Sequence, residues 1–241
     1  MKDMRMGNNF KYWQNGVKDG VPICLGYIAV SFTFGIVAKR AGLAAWQAVF
    51  MSVTNVTSAG QFAALGLIGA SATYLEMAVT QFIINLRYCL MSCSLSQKLE
   101  ARVPFAQRLL VAFGITDEIF GVSVASHGKL KPFYSYGLMS VAIPGWICGT
   151  WLGVVSGNIL PHRVISALSI ALYGMFMAVI VPPAKGNKLL SGIILLSMAL
   201  SFLFTKIAAF SPISSGFKII ILTVLIAGLA AVLFPVQEVS R

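Results

Sequence analysis

From Ala41 to Leu75 the chain carries no charged residue, and the same holds from Gly20 to Ala38 and from Pro132 to His162. About 20 predominantly apolar residues make a helix long enough to cross a bilayer. A chain with several such runs is constrained to fold in lipid, where backbone polar groups must be satisfied within helices or a closed barrel. The composition agrees: 58% of residues are hydrophobic and 10% charged, with a mean hydropathy of +0.84, against about 25% charged in soluble domains. Only Asp3, Asp19, Glu76, Glu100, Asp117, Glu118 and Glu238 are acidic. A soluble enzyme, a disordered chain and a disulfide-stapled secreted domain are excluded. The expected class is all-α and polytopic, with seven to eight spans, one or more of them broken or re-entrant. The 241 residues then form one transmembrane domain, with 1–20 as a cytoplasmic or interfacial arm and no cleaved leader.

The net charge of +11 does not indicate nucleic acid. The bases stand singly or in pairs between apolar runs, as juxtamembrane Lys and Arg do beside anionic headgroups. Cys24, Cys89, Cys93 and Cys148 lie inside apolar runs without metal-ligand spacing, so neither a metal nor a cofactor is expected. His127 and His162 fall at span edges, and the two S-x-x-K matches at Ser126 and Ser215 lie at loop edges. No H-E-x-x-H, G-x-S-x-G or P-loop appears, which argues against an enzyme.

The first span ends at Lys39-Arg40. The run 41–75 is too long for one helix and short for two with a turn. Its middle collects Ser52, Thr54, Asn55, Thr57, Ser58, Gly60 and Gln61. Irregular backbone at membrane depth survives only where protein or water satisfies it, so a break near 55–61 is expected, against one tilted helix bonding its own carbonyls. Further spans are expected at 76–97, about 109–127, 132–162, 164–183, 189–205 and 217–236. If 41–75 returns to the side it left, the positive-inside rule slightly favours a cytoplasmic N-terminus. No internal repeat is evident.

Three features suggest chemistry. Asn55, Ser58, Gly60 and Gln61 form a polar segment whose half-helix ends suit the carboxylate and ammonium of a zwitterion. Helix-to-helix glue is the competing reading. Arg87 lies within an otherwise uncharged stretch, and Asp117 and Glu118 are the only acids inside a span. Intramembrane charges are functional hypotheses by default. Arg87 is therefore an anion contact or the counter-ion of Asp117 or Glu118, one of which takes up a proton; a structural ion pair is the alternative. Gly145, Gly149, Gly153 and Gly157 form a small-xxx-small ladder that packs against a helix of the same chain or docks another subunit.

The stretches Gly20-Val-Pro-Ile-Cys-Leu-Gly-Tyr-Ile-Ala, Phe34-Gly-Ile-Val-Ala38, Ser58-Ala-Gly-Gln-Phe62, Asn85-Leu-Arg-Tyr88 and Thr116-Asp-Glu118 come in an order and spacing that resembles the AzlC family of branched-chain amino acid permeases. The resemblance implies a multi-pass transporter of the bacterial inner membrane that exports such amino acids and draws on the proton gradient. It also implies a complex with a small AzlD-like membrane subunit. On this reading Tyr27, Asn55, Ser58, Gly60, Gln61, Asn85, Arg87 and Thr116 bind substrate, with Phe34 and Phe62 beside its aliphatic part. The chain departs from the family in carrying Tyr88 where histidine is frequent, and in lacking an acid near Ser169. The alternatives are a transporter of other small organic solutes, an importer, or a non-transport membrane scaffold.

Overall fold

A computed structural model describes residues 2–100, 102–126, 128–157, 184–207 and 215–234, with the isolated positions 177, 181 and 213. Among these, regular structure is helical throughout, apart from one isolated backbone pairing of Leu99 with Leu130. Helices α1 (Lys2–Arg40), α2 (Ala45–Thr54), α3 (Ala59–Gly69), α4 (Tyr74–Lys98), α5 (Phe105–Phe113), α6 (Asp117–Ala125) and α7 (Pro132–Ser156) are followed by helices Lys188–Lys206 and Ser215–Leu233. The chain divides into two compact units, Met1–Leu65 with Asn85–Leu172, and Gly66–Ile84 with Tyr173–Arg241.

The first unit is organised by α1 and α7, which run parallel at close range. Glycine sets the distance, because a side chain on either helix would strike the other's backbone. A Cβ at Gly20 would come within 3.1 Å of the Leu138 carbonyl oxygen, and one at Gly149 within 2.6 Å of that of Ile28. A Cβ at Gly35 would meet Thr150, one at Gly153 would meet Phe32, and one at Gly145 would meet Cys24. The numbers rise together along both helices, which fixes the parallel direction. The glycine ladder is thus covered by α1 of the same chain, and its face is not free for another subunit.

At the end where α7 begins, the Tyr134 hydroxyl donates to Asp19 of α1 at 2.7 Å. The same end gathers three other helix termini. The Leu130 N–H donates to the carbonyl of Lys98, the last residue of α4, at 2.9 Å. Lys98 Nζ donates to the carbonyls of Val124 and Ser126 at the end of α6. Arg108, in the first turn of α5, donates to Ser96 Oγ at 2.7 Å. Helix α5 therefore enters from this end and α6 returns to it. The expected continuous span over 109–127 is instead a re-entrant hairpin. The reason is local: Thr116 takes an extended conformation and its Oγ1 accepts from the Ile119 N–H at 3.2 Å. Thr116 is thus an N-cap, and Asp117 and Glu118 occupy the helix turn that favours negative charge.

The polar segment does break its helix, and in the mirror-image sense. Asn55 ends α2 in an extended conformation, Ser58 turns with φ 32°, and Thr57 Oγ1 donates to Asn55 Oδ1 at 2.7 Å. Ala48 and Leu65 share an apolar cluster with Phe34, Ala38 and Val154, near the end where α1 and α7 finish. Ser52 and Gln61 lie deeper, beside Thr150 and Trp146. So α2 descends and α3 climbs back: a second re-entrant hairpin from the opposite end. A long helix followed by a re-entrant hairpin thus occurs twice with opposite direction, once as α1 to α3 and once as α4 to α6. The C-termini of α1, α4 and α7 (Arg40, Lys98, Ser156) are evenly spaced along the chain. Sequence showed no repeat; this is one in geometry, of the inverted kind found in transporters.

Three described helices are long and apolar enough to cross a membrane: Asn9–Arg40, Pro132–Ser156 and Lys188–Lys206. One expected crossing, 109–127, becomes a hairpin, so Lys129 and Lys131 lie at the same end as Arg102 and Arg108, not across from them. The expected span at 164–183, with His162 and Ser169, lies outside the described residues, as does His127.

In the second unit, Asn187 caps helix Lys188–Lys206 by accepting from the Leu189 and Leu190 N–H groups at 3.0 and 3.1 Å. That helix packs on Ser215–Leu233. Their outward Leu195, Phe202, Leu225 and Val232 are exposed, as suits lipid contact.

Candidate functional site

The inner ends of the two hairpins meet at the middle of α1 and α7. There the Tyr27 and Trp146 rings pack edge to face, 5.4 Å between centroids at 78°. Each ring holds one hairpin.

Trp146 holds the first hairpin through a closed ring of hydrogen bonds. Its Nε1–H donates to Gln61 Oε1 at 3.0 Å, and Gln61 Nε2 donates to Ser52 Oγ at 3.1 Å. Ser52 Oγ lies 2.8 Å from Thr150 Oγ1, and Thr150 Oγ1 donates to the Trp146 carbonyl at 2.9 Å. Thr150 has spent its only proton on that carbonyl, so Ser52 is the donor between the two hydroxyls. All four side chains are buried, and each makes a hydrogen bond inside the ring, as buried polar groups require.

Tyr27 holds the second. Its hydroxyl oxygen lies 2.5 Å from Thr116 Oγ1 and 2.6 Å from Glu118 Oε2. A phenol has one proton, so Tyr27 donates to Thr116 or to Glu118 but not to both at once. Asp117 Oδ2 accepts from Arg87 at 2.6 Å, with side chains 28% and 39% exposed, a partly solvated pair. The Arg87 guanidinium lies 5.1 Å from the centre of the Tyr88 ring. Its Nε–H is buried and has no partner among the described residues.

Of the residues singled out in the sequence, Tyr27, Gln61, Arg87, Thr116, Asp117 and Glu118 converge here. Gln61 is fully buried and tied to α7. Asn55 and Ser58 sit at the tip of the first hairpin, where Ser58 Oγ is buried without a partner among the described residues. Gly60 lies in the first turn of α3, and Asn85 is half-buried on α4. Phe34 and Phe62 pack edge to face at 5.5 Å against the apolar cluster that includes Ala38, Ala48, Leu65 and Val154. Sequence reasoning missed Trp146 and Thr150. Their signal was faint: two polar-tipped residues four apart in an uncharged run, between the glycines of the ladder. Among the described residues no three His, Cys, Asp or Glu side chains gather as metal ligands.

The family model for AzlC protein matches residues 22–160, which covers both hairpins and the seam between α1 and α7. An uncharacterized membrane protein of Archaeoglobus fulgidus is 33% identical over 192 residues, 79% of this chain and 84% of the relative. Inner membrane protein YgaZ of Escherichia coli is 30% identical over 173 residues, 69% of this chain and 71% of its own length. An uncharacterized membrane protein of Helicobacter pylori is 24% identical over 154 residues, 61% of this chain and 65% of its own. No solved structure matches. The family match, the relatives' names and the apolar helices agree, and the chain is a membrane protein of the AzlC family.

Proposed function

We propose that the chain is the transport subunit of a proton-driven secondary transporter that exports branched-chain and similar amino acids across the bacterial inner membrane. One observation carries the reading: two oppositely directed re-entrant hairpins whose polar inner ends meet at mid-depth. This is the arrangement by which broken helices form a substrate site open in turn to either side.

The two inner ends differ in charge. The first turn of α3 carries no acid, whereas that of α6 carries Asp117 and Glu118. A zwitterion fits this polarity with its carboxylate toward Ser58 and Gly60 and its ammonium toward the acids. The unpartnered Nε–H of Arg87 is a further anion donor. Aliphatic side chains differing by one methylene are separated by only about 1–3 kcal/mol in an apolar pocket, so the substrate range is broad within the class. Arg102, Arg108, Lys129 and Lys131 at one end against Lys39 and Arg40 at the other support a cytoplasmic N-terminus by the positive-inside rule. A small AzlD-like membrane subunit completes the assembly.

The test is counterflow of labelled leucine into proteoliposomes of the chain with its small partner, followed by efflux under an imposed pH gradient. Leucine exchange that valine and isoleucine compete for, accelerated by the gradient, is the expected result. A chain that assembles with its partner yet exchanges none of these amino acids is a scaffold or carries another solute. Exchange that ignores the gradient removes proton coupling alone.

A further inference from the structure

The two adjacent acids at the start of α6 are held differently. Asp117 is bound to a permanent cation, Arg87, at 2.6 Å. Glu118 meets a neutral group that both gives and takes a proton, the Tyr27 hydroxyl, at 2.6 Å. We infer that Glu118, and not Asp117, carries the exchangeable proton, and that Tyr27 passes its arrival to the tip of the second hairpin by moving its one donated hydrogen bond from Glu118 to Thr116. The inference rests on the transporter reading and names the residues that would couple it.

This move follows from proton counting. With Glu118 ionised, Tyr27 donates to Glu118, while Thr116 Oγ1 accepts from the Ile119 N–H. A proton from water bound to Glu118 Oε2 turns that carboxyl into a donor to the Tyr27 oxygen. Tyr27 then turns its own O–H to donate a hydrogen bond to Thr116 Oγ1, which accepts two bonds at once. Thr116, the residue that starts α6, thereby gains a second hydrogen bond. No bond to carbon changes and one proton is gained. An Asp117 protonated in the same way would only release Arg87.

Among the described residues, the groups facing Glu118 are few. Helix α1 presents Tyr27; α4 presents Arg87 and Tyr88, the latter within electrostatic reach of both acids; α6 itself presents Asp117. Helix α7 has no charged residue, and its Tyr134 hydroxyl is bonded to Asp19. The one charge on α5, Arg108, is turned to Ser96, Glu100 and Val103. The first hairpin has nothing comparable: its inner end is tied by the uncharged ring of Gln61, Ser52, Thr150 and Trp146. The second hairpin is therefore the one a proton addresses.

Infrared difference spectra of the full chain in liposomes, acid against neutral, read the proton without any substrate. A protonated-carboxyl band is expected in the native chain, lost in Glu118→Gln and kept in Arg87→Gln/Asp117→Asn, a double variant that leaves no charge alone. Tyr27→Phe keeps the band, yet its leucine exchange loses the pH dependence of the native chain, up to about tenfold per pH unit for one coupled proton. A band that survives Glu118→Gln, one lost in the double variant, no band in the native chain, or a Tyr27→Phe variant with the full pH dependence overturns the inference. A normal Glu118 band in a chain that assembles with its small partner yet moves no leucine sinks the transporter reading and leaves the proton assignment standing.

Discussion

Replacing Gln61 with leucine keeps its approximate shape and removes both of its links in the ring that anchors the first hairpin. The Trp146 Nε1–H and one lone pair of Ser52 Oγ lose their partners at a site where Trp146 and Ser52 are 1% and 0% exposed. A buried donor or acceptor left unsatisfied costs about 1–3 kcal/mol, and the acceptor retains a bond from its own hydroxyl to Thr150, so Gln61→Leu should cost about 2–4 kcal/mol. Trp146→Phe leaves only Gln61 Oε1 unpaired but also loses indole packing, about 1–3 kcal/mol. With both replaced, the Trp146 donor and the Gln61 acceptor disappear together, so the double variant should cost less than the sum. Couplings across membrane helices average about 0.6 and reach about 1.7 kcal/mol; burial of every member places this one at the upper end, about 1 kcal/mol or more. Equilibrium unfolding in mild detergent across the four proteins measures it. Additivity within about 0.5 kcal/mol, the usual result for independent sites, would refute the ring as an anchor.

Gly149→Val should prevent α1 and α7 from closing, because its Cβ would overlap Ile28 and Ser31, whereas Gly26→Ala on the same α1 meets nothing within 4 Å; folded yield in detergent should fall sharply for the first and hold for the second. Arg87→Gln and Asp117→Asn should each cost about 1–3 kcal/mol, between exposed and buried pairs because both side chains are partly solvated, and the double variant should recover part of the loss in the same unfolding assay. Lys98→Met removes the donor that closes the base of the second hairpin; cysteines at Val124 and Ser126 should react faster with a water-soluble maleimide in that variant than in the native background.

The polar segment at 55–58 was legible as a break because seven small, hydroxyl or amide residues crowd a run otherwise rich in Ala, Val and Phe. The break at 114–116 was not. There the flanking residues are apolar and the two acids drew attention as intramembrane charges, when with Thr116 they also spell a helix N-terminus. Reading that signature would have split the span and moved Lys129 and Lys131 to the side of Arg102. The glycine ladder announced a close helix contact but not its partner, since small-xxx-small marks a surface without naming what meets it. Trp146 with Gln61, and Tyr27 with Glu118, are pairs far apart in the chain. Their meeting depends on two hairpins turning back at mid-depth, which no local pattern records.

That turning back is the central claim, and side-specific labelling tests it most directly. Single cysteines at Arg102, Lys129 and Gly42 in an otherwise cysteine-free chain are exposed to a membrane-impermeant maleimide in right-side-out and inverted vesicles. Arg102 and Lys129 should label from one side, with Gly42 from the other. Labelling of Arg102 and Lys129 from opposite sides would mean that 105–125 crosses the membrane, and the paired re-entrant hairpins would be wrong.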